Sequence, residues 1–193
     1  MRFTELHEMA EPDPPAPPPG PGVFVTVGTT EFDALVAAAT APPFLARLEA
    51  LGFAWLRLQV GRGAAPHLPA ASTVNNTHVS WFRFTRDLPG EMARAHVVVS
   101  HAGAGSILEA LELERRLVVV PNGALMDDHQ AELAGALAAD RHLVAAPGPA
   151  GLCDALAAAA SGDGFAPLGD VDAAAFPRLV DDEMRRPGRC VIL

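Results

Sequence analysis

The 193-residue sequence contains no lysine: its 14 basic residues are all arginine, against 23 aspartates and glutamates, for a formal net charge of −9. No predicted face gathers those arginines, so the electrostatic footprint of a nucleic-acid binder is missing. Cysteine is nearly absent too. Cys153 and Cys190 are too few for a disulfide framework, and no signal-peptide core precedes the first patterned segment, so the expected setting is reducing and cytoplasmic. There the Asn75-Asn76-Thr77 glycosylation sequon is silent. No apolar run approaches the roughly 20 residues that cross a bilayer. What is present is globular in character: 50% hydrophobic, 19% charged and a mean hydropathy of +0.21. A chain of this length makes one domain, burying roughly 70% of its unfolded surface.

Three regions are expected. Residues 1–21 mix acids with Pro12, Pro14, Pro15, Pro17, Pro18, Pro19 and Pro21, a composition that buries too little to order itself and reads as a disordered extension. Residues 22–160 form the patterned body, and residues 161–193 an acidic, glycine-broken tail with one weak helix around 171–184. Within the body, Val23-Phe24-Val25-Thr26-Val27 is too uniformly apolar for a half-exposed strand and reads as a buried one. A helical pattern through Phe32, Leu35, Val36, Phe44, Leu45, Leu48 and Leu51 is broken at Pro42-Pro43 and stopped by Gly52. A second strand spans 54–60, a loop 64–80, a short strand 81–84 and a helix 88–95. The strongest pattern follows: strand 96–100, a glycine loop, helix 105–113, strand 117–120, helix 127–139 and a short strand 142–145. This alternation predicts an α/β fold, a Rossmann-like parallel sheet with helices on both faces.

In such a sheet ligands collect at the carboxyl ends of the strands, where His101-Ala102-Gly103-Ala104-Gly105-Ser106 opens a helix. Glycines at 103 and 105 remove Cβ atoms where a ligand would approach, and leave helix N-terminal amides to meet an anion such as a diphosphate. Glu109, one turn along, suits a ribose diol better than a phosphate, which it would repel. The other reading is that these glycines merely allow tight packing of helix on strand and that Glu109 is a solvated helix residue. The dinucleotide fingerprint does not fit: Leu108 takes the third glycine position, and the next strand ends in Val120-Pro121-Asn122 without a carboxylate. A second polar cluster follows, with Asn122, Met126, Asp127, Asp128, His129 and Gln130. Asp127 or Asp128 suits a helix N-cap, and the Gln130 amide offers both donor and acceptor to sugar hydroxyls. His101 and His129 lack paired metal-ligand spacing, so neither metal nor cofactor is expected.

Four ordered segments then carry a resemblance: Val23 to Thr30 with Phe32-Asp33; Gln59-Val60-Gly61-Arg62-Gly63; Ser100 to Ser106 with Glu109-Ala110-Leu111; and Pro121-Asn122 with Leu125 to Leu133. Over about Val23 to Val144 the chain resembles the cytosolic subunit of the two-part UDP-N-acetylglucosamine (UDP-GlcNAc) transferase. That family adds the second GlcNAc to dolichyl-diphosphate-linked GlcNAc. The resemblance implies the C-terminal, donor-binding half of a GT-B glycosyltransferase, with a membrane-anchored subunit supplying the half that binds the lipid-linked acceptor. It also implies cytoplasmic residence with recruitment to the cytosolic face of the endoplasmic reticulum. By the same resemblance Gly103, Gly105 and Ser106 hold the diphosphate, Glu109 the ribose, and Gln130 with Asn122 the sugar hydroxyls, with His101 and Ala104 also among the donor-binding residues. Gly28, Thr29 and Thr30 lie at the cleft edge. The catalytic base is not identified; His101 and Asp127 are candidates, as is a group on the partner.

The proline-rich head and the loop 64–80 fall outside the resemblance. So does the tail, where Cys190-Val191-Ile192-Leu193 after Arg185, Arg186 and Arg189 fits a C-a-a-X prenylation signal at Cys190. An apolar tail that packs on the partner is the other reading. For the whole chain, a non-catalytic nucleotide-binding or scaffolding module and a free-standing UDP-sugar transferase with a soluble acceptor stand as alternatives.

Overall fold

A computed structural model of the chain describes residues 15–69, 71–122, 128–162 and 165–166. Asp127, the expected helix at 171–184 and Cys190 lie outside the described residues. The elements in chain order are β1 (Gly22–Thr26), α1 (Asp33–Thr40), α2 (Pro42–Ala50), β2 (Trp55–Gln59), β3 (Ala71–Val74), β4 (Thr77–Phe82), α3 (Leu88–Arg94), β5 (Val97–His101), α4 (Ala104–Glu112), β6 (Arg116–Val120), α5 (Asp128–Ala139), β7 (Val144–Ala145) and α6 (Leu152–Ser161). The strands form one sheet in the order β3-β4-β2-β1-β5-β6-β7. Every pairing is parallel except that of β3 with β4. The six parallel strands therefore run third, second, first, fourth, fifth, sixth, a doubly wound order whose switch point lies between β1 and β5.

The pleat sorts the core into two layers. Val23, Val25, Leu56, Leu58, Val97, Val99 and Val118 point toward α1, α2 and α6, whereas Phe24, Trp55, Val98, Leu117 and Val119 point toward α3, α4 and α5. Burying each such side chain contributes about 1.5–3 kcal/mol, and apolar residues on both pleat faces commit a strand to the middle of a covered sheet. The predicted break between the first two helices is real: Pro42 opens α2, where its missing N–H costs nothing. Asp87 caps α3 by accepting from the Gly90 amide at 2.9 Å.

Three segments differ from the sequence-based expectation. Residues 71–82 form a hairpin where the sequence pattern indicates a loop up to Ser80, and Asn75 and Asn76 take φ of 48° and 61°, the two-residue primed turn that suits twisted strands. Its first strand is a polar edge, so it carries no apolar alternation to read. The helix α6 is also additional to the expected elements; Leu152, Ala155, Leu156 and Ala159 bury one face of it, and Gly162 ends it with φ of 74°. Residues 15–21 are anchored rather than loose. The Ala54 amide donates to the Pro21 carbonyl at 2.7 Å, the Trp55 indole to the Gly20 carbonyl at 3.0 Å, and the Arg57 guanidinium to the Pro15 carbonyl. Prolines have no N–H to donate to a ladder, so this stretch is held through its carbonyls by donors in and just before β2.

Arg57 itself is buried at 1% exposure in the middle of the sheet. It pairs with Glu91 at 2.9 and 3.1 Å, donates to Ser80 Oγ at 3.2 Å, and lies 6.0 Å from the Phe82 ring centroid, which in turn stacks on Phe24. A buried cation with a paired carboxylate and further hydrogen bonds meets the condition under which such a charge is tolerated. Among the described residues no helix is long and apolar enough to cross a membrane.

Candidate functional site

The chains leaving β1 and β5 at the switch point go to opposite faces of the sheet, the place where ligand crevices form in doubly wound folds. The β1 loop carries Gly28, Thr29 and Thr30; the β5 loop carries His101, Ala102 and Gly103. The His101 ring fills the space between two glycines. A Cβ on Gly28 would stand 2.6 Å from Cε1, and a Cβ on Gly103 2.6 Å from Nε2, both closer than real contacts allow. Gly28 also has φ of 63°, a backbone state glycine adopts without penalty. Here glycine is required by the imidazole.

His101 Nδ1 is buried without a hydrogen-bond partner. Burial lowers the pKa of the ring below its ordinary 6.5, and the backbone of Thr26 pulls weakly the other way. At neutral pH the ring is therefore uncharged, with one N–H and one lone pair. It stands beside a helix N-terminus, whose partial positive charge also disfavours a second cation.

That helix is α4. Gly103 is its N-cap, with φ of −75° and ψ of 123° and no side-chain cap, so no capping side chain occupies the amides of its first turn. A Cβ at Gly105 would meet no protein atom within 4 Å. The helix is long enough, at nine residues, to present a dipole at this end. Glu109 lies on the same helix, partly exposed; burial, and then the nearby Glu112 charge, push its carboxyl pKa upward. Leu108 beside it is 49% exposed, a large apolar group left in solvent at the rim.

Asn122, at the exit of β6, reaches toward the same end: its amide donates to the Glu31 carbonyl at 3.3 Å, tying this exit to the β1 loop. Gln130 occupies the first turn of α5. The structure thus brings Gly28, His101 and Gly103 together at the switch point, with Thr29 and Thr30 in the β1 loop, Ala104, Gly105 and Ser106 in the first turn of α4 and Glu109 further along it, and Asn122 linked to the β1 loop.

Next to that switch point is a feature given no role from sequence. Thr26, Gln59 and Ser100 are adjacent in register across β2, β1 and β5 and buried at 0%, 4% and 0% exposure. Thr26 Oγ1 donates to Gln59 Oε1 at 2.6 Å and accepts from the Gly28 amide at 3.1 Å. Gln59 Nε2 donates to the carbonyls of Gly28 at 2.7 Å and Arg83 at 2.8 Å. The readable signal was a polar residue at or next to the carboxyl end of three adjacent buried strands, all on one pleat face.

Residues 22–162 match the family model described as the glycosyltransferase family 28 C-terminal domain. The chain belongs to that family. Among relatives of this family 28 domain, the human UDP-N-acetylglucosamine transferase subunit ALG13 is 46% identical over 121 residues, covering 63% of this chain and 10% of the human protein. The subunit of the same name from Yarrowia lipolytica is 41% identical over 122 residues, covering 63% of this chain and 62% of that protein. The chain therefore spans about a tenth of the human relative and less than two thirds of the Yarrowia one. With the Eremothecium gossypii subunit the match is 31% over 189 residues, 85% of this chain and 93% of that one. An NMR solution structure of ALG13 superposes with a TM-score of 0.62 at 26% identity, covering 82% of this chain and 94% of that chain. MurG from Acinetobacter baumannii superposes at 0.57 and 18% identity over 95% of this chain and 53% of its own, a likeness of fold alone. The family 28 domain has the expected fold, that of the C-terminal half of a GT-B glycosyltransferase, and the expected kinship with the transferase subunits.

Proposed function

We propose that this family 28 domain binds UDP-GlcNAc and, completed by a membrane-anchored acceptor-binding subunit, transfers GlcNAc to dolichyl-diphosphate-GlcNAc on the cytosolic face of the endoplasmic reticulum. The observation that carries the reading is the amino end of α4. Its first-turn amides are uncapped, a glycine leaves space above them, and a carboxylate follows one turn along, all at the switch point of a doubly wound sheet. Backbone amides and a helix dipole suit a diphosphate without a cationic side chain. Glu109 accepts from the ribose hydroxyls, and the amides of Asn122 and Gln130 meet the sugar.

In this reading the acceptor 4-hydroxyl, held by the partner, attacks the anomeric carbon from the face opposite the UDP leaving group. The C–O bond to UDP breaks as the new one forms, so the configuration inverts to a β1,4 linkage. Charge developing on the departing diphosphate is met by amides already fixed in place, which need no reorganisation during the reaction. The hydroxyl proton passes to a base, for which the neutral His101 ring offers a lone pair on this chain and a group on the partner is the alternative.

The test is transfer of labelled GlcNAc from UDP-GlcNAc to a GlcNAc-diphosphate-lipid, using the purified chain alone and then co-expressed with its candidate membrane subunit. Transfer only by the combined preparation is the expected result. Transfer by the chain alone to a soluble acceptor would replace this reading with a free-standing enzyme. UDP binding without transfer in a verified complex would leave a binding module.

A further inference from the structure

We infer that Gln59 is a positioning residue for the donor site: from the end of β2 it fixes the β1 loop and, through Gly28, the seat of His101. This rests on the function proposed above. A carboxamide in the interior of a sheet is costly unless all of its strong groups are used. Here both N–H donors and the oxygen are engaged, with the Gly28 and Arg83 carbonyls and the Thr26 hydroxyl at 2.6–2.8 Å. Only one orientation satisfies them, because a flipped amide would set its oxygen against two carbonyls.

The three partners belong to two strand exits: Thr26 ends β1 with Gly28 just after it, and Arg83 follows β4. From its own place at the end of β2, Gln59 therefore joins three strand exits at one atom cluster, and the loops themselves complete the lock. Gly61 donates to the Arg83 carbonyl at 3.2 Å, and Arg62 donates through its backbone to the Thr30 carbonyl at 3.1 Å. Arg83 returns to the carbonyls of Gly61 and Gly63 at 3.2 and 2.8 Å. A Cβ at Gly61 would stand 2.4 Å from the Thr30 carbonyl oxygen, so the β1 and β2 loops are in contact with no slack.

The consequence at the site is geometric. The peptide whose carbonyl Gln59 holds belongs to Gly28, whose Cα faces the His101 ring. Releasing that carbonyl frees the β1 loop to lift from the imidazole, which then gains water and loses its fixed place beside the α4 amides. A support of this kind, whose members are locked by their own hydrogen bonds, is what holds a binding constellation within tolerance.

The experiment uses the full chain with Gln59→Met, which keeps volume and removes all three hydrogen bonds. It reads the His101 titration by NMR and UDP affinity by calorimetry, both well below the melting temperature. Two further variants guard against misfolding. Thr26→Val removes the hydroxyl link alone, and Thr26→Ser restores it. Gln59→Met and Thr26→Val are expected to move the His101 pKa up toward 6.5 and to weaken UDP binding at least tenfold, with Thr26→Ser close to wild type. A lowered melting temperature with an unchanged His101 titration and UDP affinity within twofold would show a purely structural role and overturn the inference. If the wild-type chain fails to bind UDP, the proposed function falls. The His101 titration then decides the inference alone: an upward shift supports it and no shift overturns it.

Discussion

Gly28 and His101 close the switch point against each other, with the imidazole Cε1 only 2.6 Å from where a Cβ on residue 28 would stand. Gly28→Ala therefore meets two penalties. Its φ of 63° costs a non-glycine residue about 1–2 kcal/mol, and the methyl group must displace the ring or the loop. The expected outcome is a melting temperature lower by roughly 3–8 °C together with a His101 pKa closer to 6.5, read by thermal melt and NMR titration. A variant with wild-type values in both would mean that the two loops are not in contact.

Gly105 gives the opposite stability result from the same type of substitution. A Cβ there meets no protein atom within 4 Å, and no positive φ is involved. Alanine in a helix is favoured over glycine by up to about 1 kcal/mol, so Gly105→Ala should leave the fold as stable or more so. If a diphosphate rests on the first-turn amides, the same methyl group stands in its way, and UDP affinity should fall at least tenfold by calorimetry. Unchanged affinity would remove the anion from this helix end.

The glycines also show what the sequence could disclose. Gly103 and Gly105 just after an apolar run mark a strand end opening a helix, so this loop was legible. The two-residue hairpin turn was not, because the polar edge strand Ala71–Val74 lacks the alternation that a half-buried strand displays. Nor was Arg57. A charge in the middle of a buried run becomes intelligible only when Glu91, thirty-four residues away, is known to face it. Gln59 is the same case: its partners are brought together by sheet register, which no local pattern encodes. Of the second predicted cluster, Asn122 is placed by its bond to the Glu31 carbonyl, whereas residues 123–127 lie outside the described residues.

Glu109 separates binding from stability. Burial, and the neighbouring Glu112 charge, raise its carboxyl pKa. A carboxylate whose folded pKa exceeds its unfolded value stabilises the fold below the unfolded pKa and loses that contribution as pH rises through the folded pKa. At pH 7 it is therefore a small liability, reduced further by its partial exposure to solvent. Glu109→Gln should leave the melting temperature at pH 7 equal or slightly higher. UDP binding should weaken by about 1.5–3 kcal/mol, the range for a lost hydrogen bond to a charged group. A calorimetric affinity equal to wild type would refute the ribose role.

The Arg57–Glu91 pair makes a prediction about the fold rather than the site. Arg57→Met leaves Glu91 at 5% exposure without its bidentate partner. Arg94 offers it one contact, at 3.3 Å, from a largely solvent-facing side chain. Breaking a buried pair from one side typically costs about 3–5 kcal/mol. Replacing both members by apolar residues of similar volume removes the uncompensated charge, so Arg57→Met with Glu91→Leu should recover most of that loss in denaturant titrations. A double variant no better than the single would show that the hydrogen bonds to Ser80 and the Pro15 carbonyl, rather than the pairing, carry the stability.

The pH dependence turns on the ring of His101. Its folded pKa is lowered below 6.5 by burial, so the fold takes up its proton later than the unfolded chain does. The contribution to stability is complete above 6.5 and is lost as pH falls from there toward the folded pKa. With seven histidines in the chain, the informative quantity is a difference: His101→Gln should flatten the decline of melting temperature between pH 7.5 and 5 relative to wild type. Ligand binding reverses the sign at the same residue. A diphosphate beside the ring favours the imidazolium and raises its pKa, so affinity for the donor should increase as pH falls through the interval between the free and bound values. UDP-GlcNAc is the proper probe because its diphosphate diester does not itself titrate there. Calorimetry across this pH range should show the gain in wild type and none in His101→Gln. An equal gain in both would place the protonating group elsewhere in the cleft.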